Sequence, residues 1–351
     1  MRRFVLILTI AFVLLLRAPA HAQDALFRVF GNYVEALRAQ TGIPGLVAAV
    51  VGTRDIVWQR PYGQLDIERL KATRTDTPFH VDGLTQLFTA SMILRCVEEG
   101  HLSLDDRIGQ FAGDSPDANA TVAQILTHTS GTAENPVFAY DPPRLDPLAL
   151  ALSACSEKSS REMLSDLLER LAMFDSVPGV DSIDLVPPYE GVTHKAIERY
   201  SAVLDRLATP YSVDTRLRAT PSHYEATTIR PASGLVSTVW DLAQFDLAIK
   251  NGYLLKPETL AAAWRPPVSR GGEVLPHGIG WFVQNYNGKQ IVWQFGMGEN
   301  ASSSLMVMVP SKGLTLILLA NSDGLVKPFV LPAGDVTVSP FARVFLSIFA
   351  R

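Results

Sequence analysis

Hydroxyl attack on an acyl group needs an oxygen nucleophile, a base in hydrogen-bond reach of it, and donors for the oxyanion. The candidates in this chain are few. Ser130 and His128 lie two residues apart in ATVAQILTHTSGT. That spacing falls in a tight turn with no evident orienting acid, so packing and turn formation account for both residues better than catalysis does. Thr85 is a spare hydroxyl, but Phe88 and Thr89 follow one turn on, and no lysine serves it. Tyr140 has no obvious partner to activate it. There is no Cys/His spacing for zinc, no glycine-rich phosphate loop and no sign of any other cofactor site.

The element that would position such chemistry is HVDGLTQLFTASMILRCVEEGHLSL, His80 to Leu104. It reads as one long buried helix. Leu84, Leu87, Phe88, Ala90, Met92, Leu94 and Val97 leave it apolar nearly all round. Asp82 is placed to cap its first turn, and Gly100 is a natural stop. Before it, residues 25–40 have helical spacing, and Leu46–Val51 with Ile56–Trp58 reads as a β-hairpin. After it, Thr121 is placed to cap a short helix, and residues 148–172 give further helices. Ser237 or Thr238 is placed to cap another, with Asp241 in its first turn. The last third is strand-rich: residues 278–284, 289–293, 303–309 and 314–321 form an antiparallel meander, punctuated by Asn287-Gly288 and Lys312-Gly313. Phe341 to Phe349 reads as a closing helix.

Composition sets limits on partners. The chain has 351 residues, 47% of them apolar and 19% charged, with a formal net charge of -4. It can bury a large core. With no basic stripe, nothing points to nucleic acid. Residues 1–22 read as a signal peptide: Arg2 and Arg3, an apolar run from Phe4 to Leu16, then Ala20-His21-Ala22. Cleavage there predicts an exported protein, periplasmic or extracellular, with no membrane span afterwards. An uncleaved anchor is the alternative, although the run is short for a span of about 20 residues. Cys96 and Cys155 read as two separate buried thiols, with pairing in an oxidising compartment as the alternative.

The phrase PFHVDGLTQLFTASMILRCVEEGHLSLDDRI resembles the first motif of the serine β-lactamase and penicillin-binding protein superfamily, whose helix carries Ser-x-x-Lys. ATVAQILTHTSGT, LAMFDS and RPASGLVSTVWDLAQF resemble further phrases of that family, so the likeness covers roughly residues 25–349. It implies an α/β (α+β) fold of the β-lactamase/transpeptidase type, an antiparallel sheet flanked by helices plus an inserted all-α domain. Residues 23–82 and 225–351 would form the sandwich and 83–224 the α domain. The reactive positions depart from the family. Gly83 stands for the serine and Gln86 for the lysine. Tyr140 keeps the second-motif tyrosine, but Pro142 replaces its asparagine, and proline offers neither a side-chain amide nor an N–H. Gln294-Phe295-Gly296 stands where the family has Lys-Thr-Gly or His-x-Gly. The oxyanion amides would nominally be those of Gly83 and Met297.

The resemblance therefore implies an inactive member with Gly83, Gln86, Tyr140, Gln294, Phe295 and Met297 around an old cleft. Cell-wall peptide, a small acyl ligand or a protein partner in the envelope would occupy it. An active esterase, β-lactamase or D-Ala peptidase with a displaced nucleophile is the alternative, and a structural partner of an active homologue is a third reading.

Overall fold

The computed structural model describes residues 24–132, 134–187 and 192–351. The signal peptide expected at 1–22 lies outside them.

Residues 24–40 form helix α1. The strands β1 (Gly45–Val51) and β2 (Ile56–Asp66) follow as a hairpin, then the short β3 (Lys71–Ala72) and β4 (Phe79–His80). The middle of the chain carries α2 (Thr85–Glu98), α3 (Val122–Leu126), α4 (Leu148–Ser156), α5 (Ser160–Arg170) and α6 (His194–Leu204). It also carries short strands: β5 (Thr129–Thr132), β6 (Asn135–Phe138), β7 (Val177–Pro178), β8 (Tyr211–Val213) and β9 (Ala219–Pro221). This segment is thus mostly helical, with two small hairpins in it, where the resemblance implied helices alone. After β10 (Leu235–Ser237) come α7 (Val239–Lys250) and α8 (Pro257–Ala263). The chain ends with β11 (Phe282–Tyr286), β12 (Lys289–Gly298), β13 (Ser302–Val309), β14 (Leu314–Ala320) and α9 (Pro340–Phe349).

One sheet, ordered β11-β12-β13-β14-β1-β2-β3, joins both ends of the described chain. Its β1–β14 register pairs Leu46 with Ala320 and Val51 with Thr315. Alternation divides the strands between two cores. Val47, Ala49, Met306, Ile317 and Leu319 face the core that contains α2 and α7. Leu46, Ala48, Val50, Leu305, Leu316 and Leu318 face Phe27, Phe30, Phe341 and Phe345 of α1 and α9. Burial on both faces explains why β1 and β14 read as nearly unbroken apolar runs.

The sequence reading needs three corrections here. The long helix is shorter: a 3-10 turn at Asp82–Leu84 precedes α2, which stops at Glu98. Asp82 does not cap it. Asp82 has φ 46°, and its Oδ2 accepts a hydrogen bond from Ser302 Oγ at 2.7 Å. Lastly, Cys96 and Cys155 form a disulfide between α2 and α4. Pattern alone placed each cysteine on a helix, and only helix docking brings their Cα atoms to 6.1 Å.

The caps came out as expected elsewhere. Thr121 accepts from Gln124 N in a capping box, and Thr238 Oγ1 accepts from Asp241 N at 3.2 Å. Ser237 instead meets Ser176 Oγ at 2.9 Å.

Asp241 is buried, its Oδ2 accepting from the Asp175 amide and the Ser176 hydroxyl. Burial raises its pKa from 3.8 to about 6. Between those values the native state takes up a proton that the unfolded chain lacks, so stability from this group falls as pH rises through the window. Above pH 6 the buried charge costs about 3 kcal/mol. Asp241→Asn is expected to flatten the dependence of urea midpoint on pH between about 4 and 6. A variant with the wild-type slope would contradict this assignment.

Candidate functional site

The first turn of α2 and strand β12 meet at one edge of a cavity of about 490 Å³. Gly83, Tyr140, Pro142, Phe295 and Met297 line it, together with His80 and Asp82. Gln86 does not reach its surface: it is fully buried, one residue layer behind Tyr140. Gly296 and Gln294 are also buried.

Strand alternation decides which side chain of β12 faces the cleft. Gln294 points to the α2 side of the sheet, where it is buried beneath the cavity and its Nε2 donates to the Gly280 carbonyl at 3.5 Å. Phe295 faces the cleft, its ring 5.2 Å from that of Tyr140. The sequence reading placed both Gln294 and Phe295 at the cleft; in the structure Phe295 lines the cavity and Gln294 does not. A shift of one residue in a strand exchanges its two faces.

Gly83 is sterically committed. A Cβ placed on it would meet the Phe295 carbonyl oxygen inside the 3.0 Å that real Cβ atoms keep. The approach is mutual. A Cβ on Gly296 would meet the Val81 carbonyl, and Gly83 N at 2.6 Å. Turn and strand are therefore packed backbone on backbone where a serine side chain and an incoming acyl group would need room.

Behind this contact lies a directional chain of hydrogen bonds. The Asp141 amide donates to His128 Nδ1 at 3.2 Å. With Nδ1 occupied as an acceptor, the ring proton sits on Nε2 and donates to Gln86 Oε1 at 3.0 Å. Gln86 Nε2 then donates to the Tyr140 hydroxyl at 2.8 Å. Every member is neutral. Burial holds the His128 pKa well below its ordinary value, helped by His277 and Arg144. Burial also lowers His277 to about 3, and it raises the Tyr140 hydroxyl well above the usual phenol range. Gln86 is an amide and accepts no proton near neutrality. Tyr140 is thus a poor base and a poor nucleophile here.

The other hydroxyls weighed from the sequence are elsewhere. Thr85 is buried and accepts from Leu235 N at 3.3 Å, and Ser130 is exposed on the β5–β6 hairpin.

Sequence reasoning missed His80, Asp82, Tyr224 and Glu225, which also line the cavity. The only signal was local: a His-x-Asp pair immediately before Gly83. It also treated His128 as a turn residue, whereas His128 supplies the proton that orients Gln86. Among the described residues no group of three or more His, Cys, Asp or Glu is arranged to hold a metal ion. No helix among them is long and apolar enough to cross a membrane.

Comparison with known proteins gives a consistent result. The profile of the family described as Beta-lactamase matches residues 30–334. "Penicillin-binding protein 4*" of Bacillus subtilis is 23% identical over 318 residues, which is 82% of this chain and 70% of that protein. The octameric penicillin-binding protein homologue from Pyrococcus abyssi superposes with a TM-score of 0.72 at 19% identity, covering 92% of this chain and 77% of that one. The D-alanine carboxypeptidase AmpC from Burkholderia cenocepacia gives 0.69 at 18%, covering 93% and 99%. At these identities the two solved structures establish a shared fold.

Proposed function

The chain belongs to the Beta-lactamase family, and from that premise we propose that it is an exported, non-hydrolytic member that binds a small acyl or peptide ligand in the cleft between α2 and β12. Cell-wall peptide is the natural class by analogy with the penicillin-binding relatives. The observation that carries the reading is the backbone contact between Gly83 and Phe295. Gly83 has no attacking atom, and this contact fills the space such an atom would need. Gln86 adds to this, since an amide locked between His128 and Tyr140 cannot take a proton from anything.

Export is supported by two features. One is the charged, apolar and small-residue order of residues 1–22. The other is the Cys96–Cys155 disulfide, since such bonds persist in oxidising compartments and are rare in reducing ones.

The test is direct. Purified protein with its disulfide intact is incubated with a fluorescent penicillin and, separately, with a p-nitrophenyl ester. We expect no covalent adduct by intact mass and no turnover above a heat-inactivated control. An adduct on any cleft hydroxyl, or saturable turnover, overturns the non-hydrolytic reading. Binding is read separately by ligand-observed NMR, where saturable, competable transfer from the cleft is expected.

A further inference from the structure

The rim of the cleft carries an excess of negative charge. Asp82, Asp146, Glu225, Glu299 and Arg230 all line it. Arg230 is paired with Asp146 at 3.0 Å. Among the described residues Asp82, Glu225 and Glu299 have no lysine or arginine partner. Glu225 and Glu299 are exposed, so their carboxylates are free to meet a ligand.

A second observation is independent of these acids. His80 lines the same cavity and is fully buried, yet neither ring nitrogen has a hydrogen-bond partner. Its Nδ1 lies 3.5 Å from Asp82 Oδ1, which favours the proton on that nitrogen and leaves Nε2 as an unused acceptor. A buried polar atom without a partner is uncommon and calls for an occupant. The His80 ring is stacked on Tyr224 at 4.7 Å, and the Tyr224 hydroxyl donates to the Ala208 carbonyl. The wall is therefore fixed and aromatic. Phe295 and Met297 continue it with apolar surface.

Together these features amount to a pocket with two exposed carboxylates at its rim, a buried Asp82–His80 pair in its wall, and aromatic faces. Such a site attracts cations and repels anions. We propose that the ligand of this cleft carries a primary ammonium on an apolar body, and that this cationic end, rather than a carboxylate, is what the rim recognises. The proposal rests on the ligand-binding reading above and adds the chemical class.

Three probes with one apolar body separate the possibilities: phenylbutylamine, phenylbutanol and phenylbutyrate, titrated into the full disulfide-bonded protein by calorimetry or NMR. The amine is expected to bind at least about tenfold tighter than the acid, and to weaken as ionic strength rises. The Glu225→Gln, Glu299→Gln double variant is expected to weaken the amine about tenfold while leaving the alcohol and the melting temperature unchanged. If the acid or the alcohol binds as well as the amine, or the double variant binds the amine unchanged, the charge inference falls and the ligand-binding reading stands. If none of the three binds, the charge inference falls, and the ligand-binding reading is decided by the NMR measurement above.

Discussion

The Gly83→Ser, Gln86→Lys double variant is expected to stay unlabelled by penicillin and to lose much of its stability. On sequence grounds alone this pair of changes restores the family's serine and lysine, and acylation is the natural expectation. The packing says otherwise. A Cβ at position 83 collides with the Phe295 carbonyl. That atom is main chain of β12, which is held on its other side by β13, so it cannot retreat as a flexible side chain would. Overpacking of this kind costs about 1–3 kcal/mol. The lysine adds a further cost. It replaces an amide that both accepts from His128 and donates to Tyr140. The ammonium would face the His128 N–H in a fully buried position, and an unpaired charge in such a place costs several kcal/mol or loses its proton. The combined loss of about 4–6 kcal/mol is a large share of the stability of an ordinary domain. Urea unfolding gives the loss, and intact mass after penicillin treatment gives the chemistry. A stable variant with a penicilloyl adduct at position 83 would show that the turn can yield.

The second large effect concerns the disulfide. Cys96 and Cys155 are separated by 59 residues, and a cross-link closing a loop of that size restricts the unfolded chain by about 4 kcal/mol in the chain-entropy account. Cys96→Ser with Cys155→Ser, or reduction of the native protein, is expected to lower the urea midpoint accordingly. Phe88, on the same helix as Cys96, stacks on Phe245 of α7 at 4.2 Å, so near-ultraviolet dichroism reports whether α2 stays docked. Two free thiols by alkylation of the unreduced protein, or an unchanged midpoint, would remove the disulfide from the account.

How much of this was legible beforehand follows from the kind of signal involved. The strands of the sheet announced themselves through β-branched and apolar runs, and the helix caps at Thr121 and Thr238 through their hydroxyls. The loss of hydroxyl and amine at Gly83 and Gln86 is a fact of composition and needs no structure. What sequence could not supply was anything set by a long-range approach. The face of Phe295 depends on strand register, the conformation of Asp82 on its bond to Ser302 across 220 positions, and the disulfide on how α2 docks against α4. The Asp141–His128–Gln86–Tyr140 chain spans three separate segments, and no local pattern betrays it. The acidic rim was missed for the same reason, since Asp82, Glu225 and Glu299 come from distant parts of the chain.

The interlock of Gly83 with Gly296 also has a consequence for how such a sequence can change. A Cβ at position 83 meets the Phe295 carbonyl and a Cβ at position 296 meets the Val81 carbonyl, so neither glycine can be exchanged without main-chain atoms giving way. A lineage carrying both is held at a local fitness ridge: any first step toward an alcohol at position 83 is penalised before a second step can reward it. A return to an alcohol at position 83 is therefore expected to require a compensating shift of the β12 main chain.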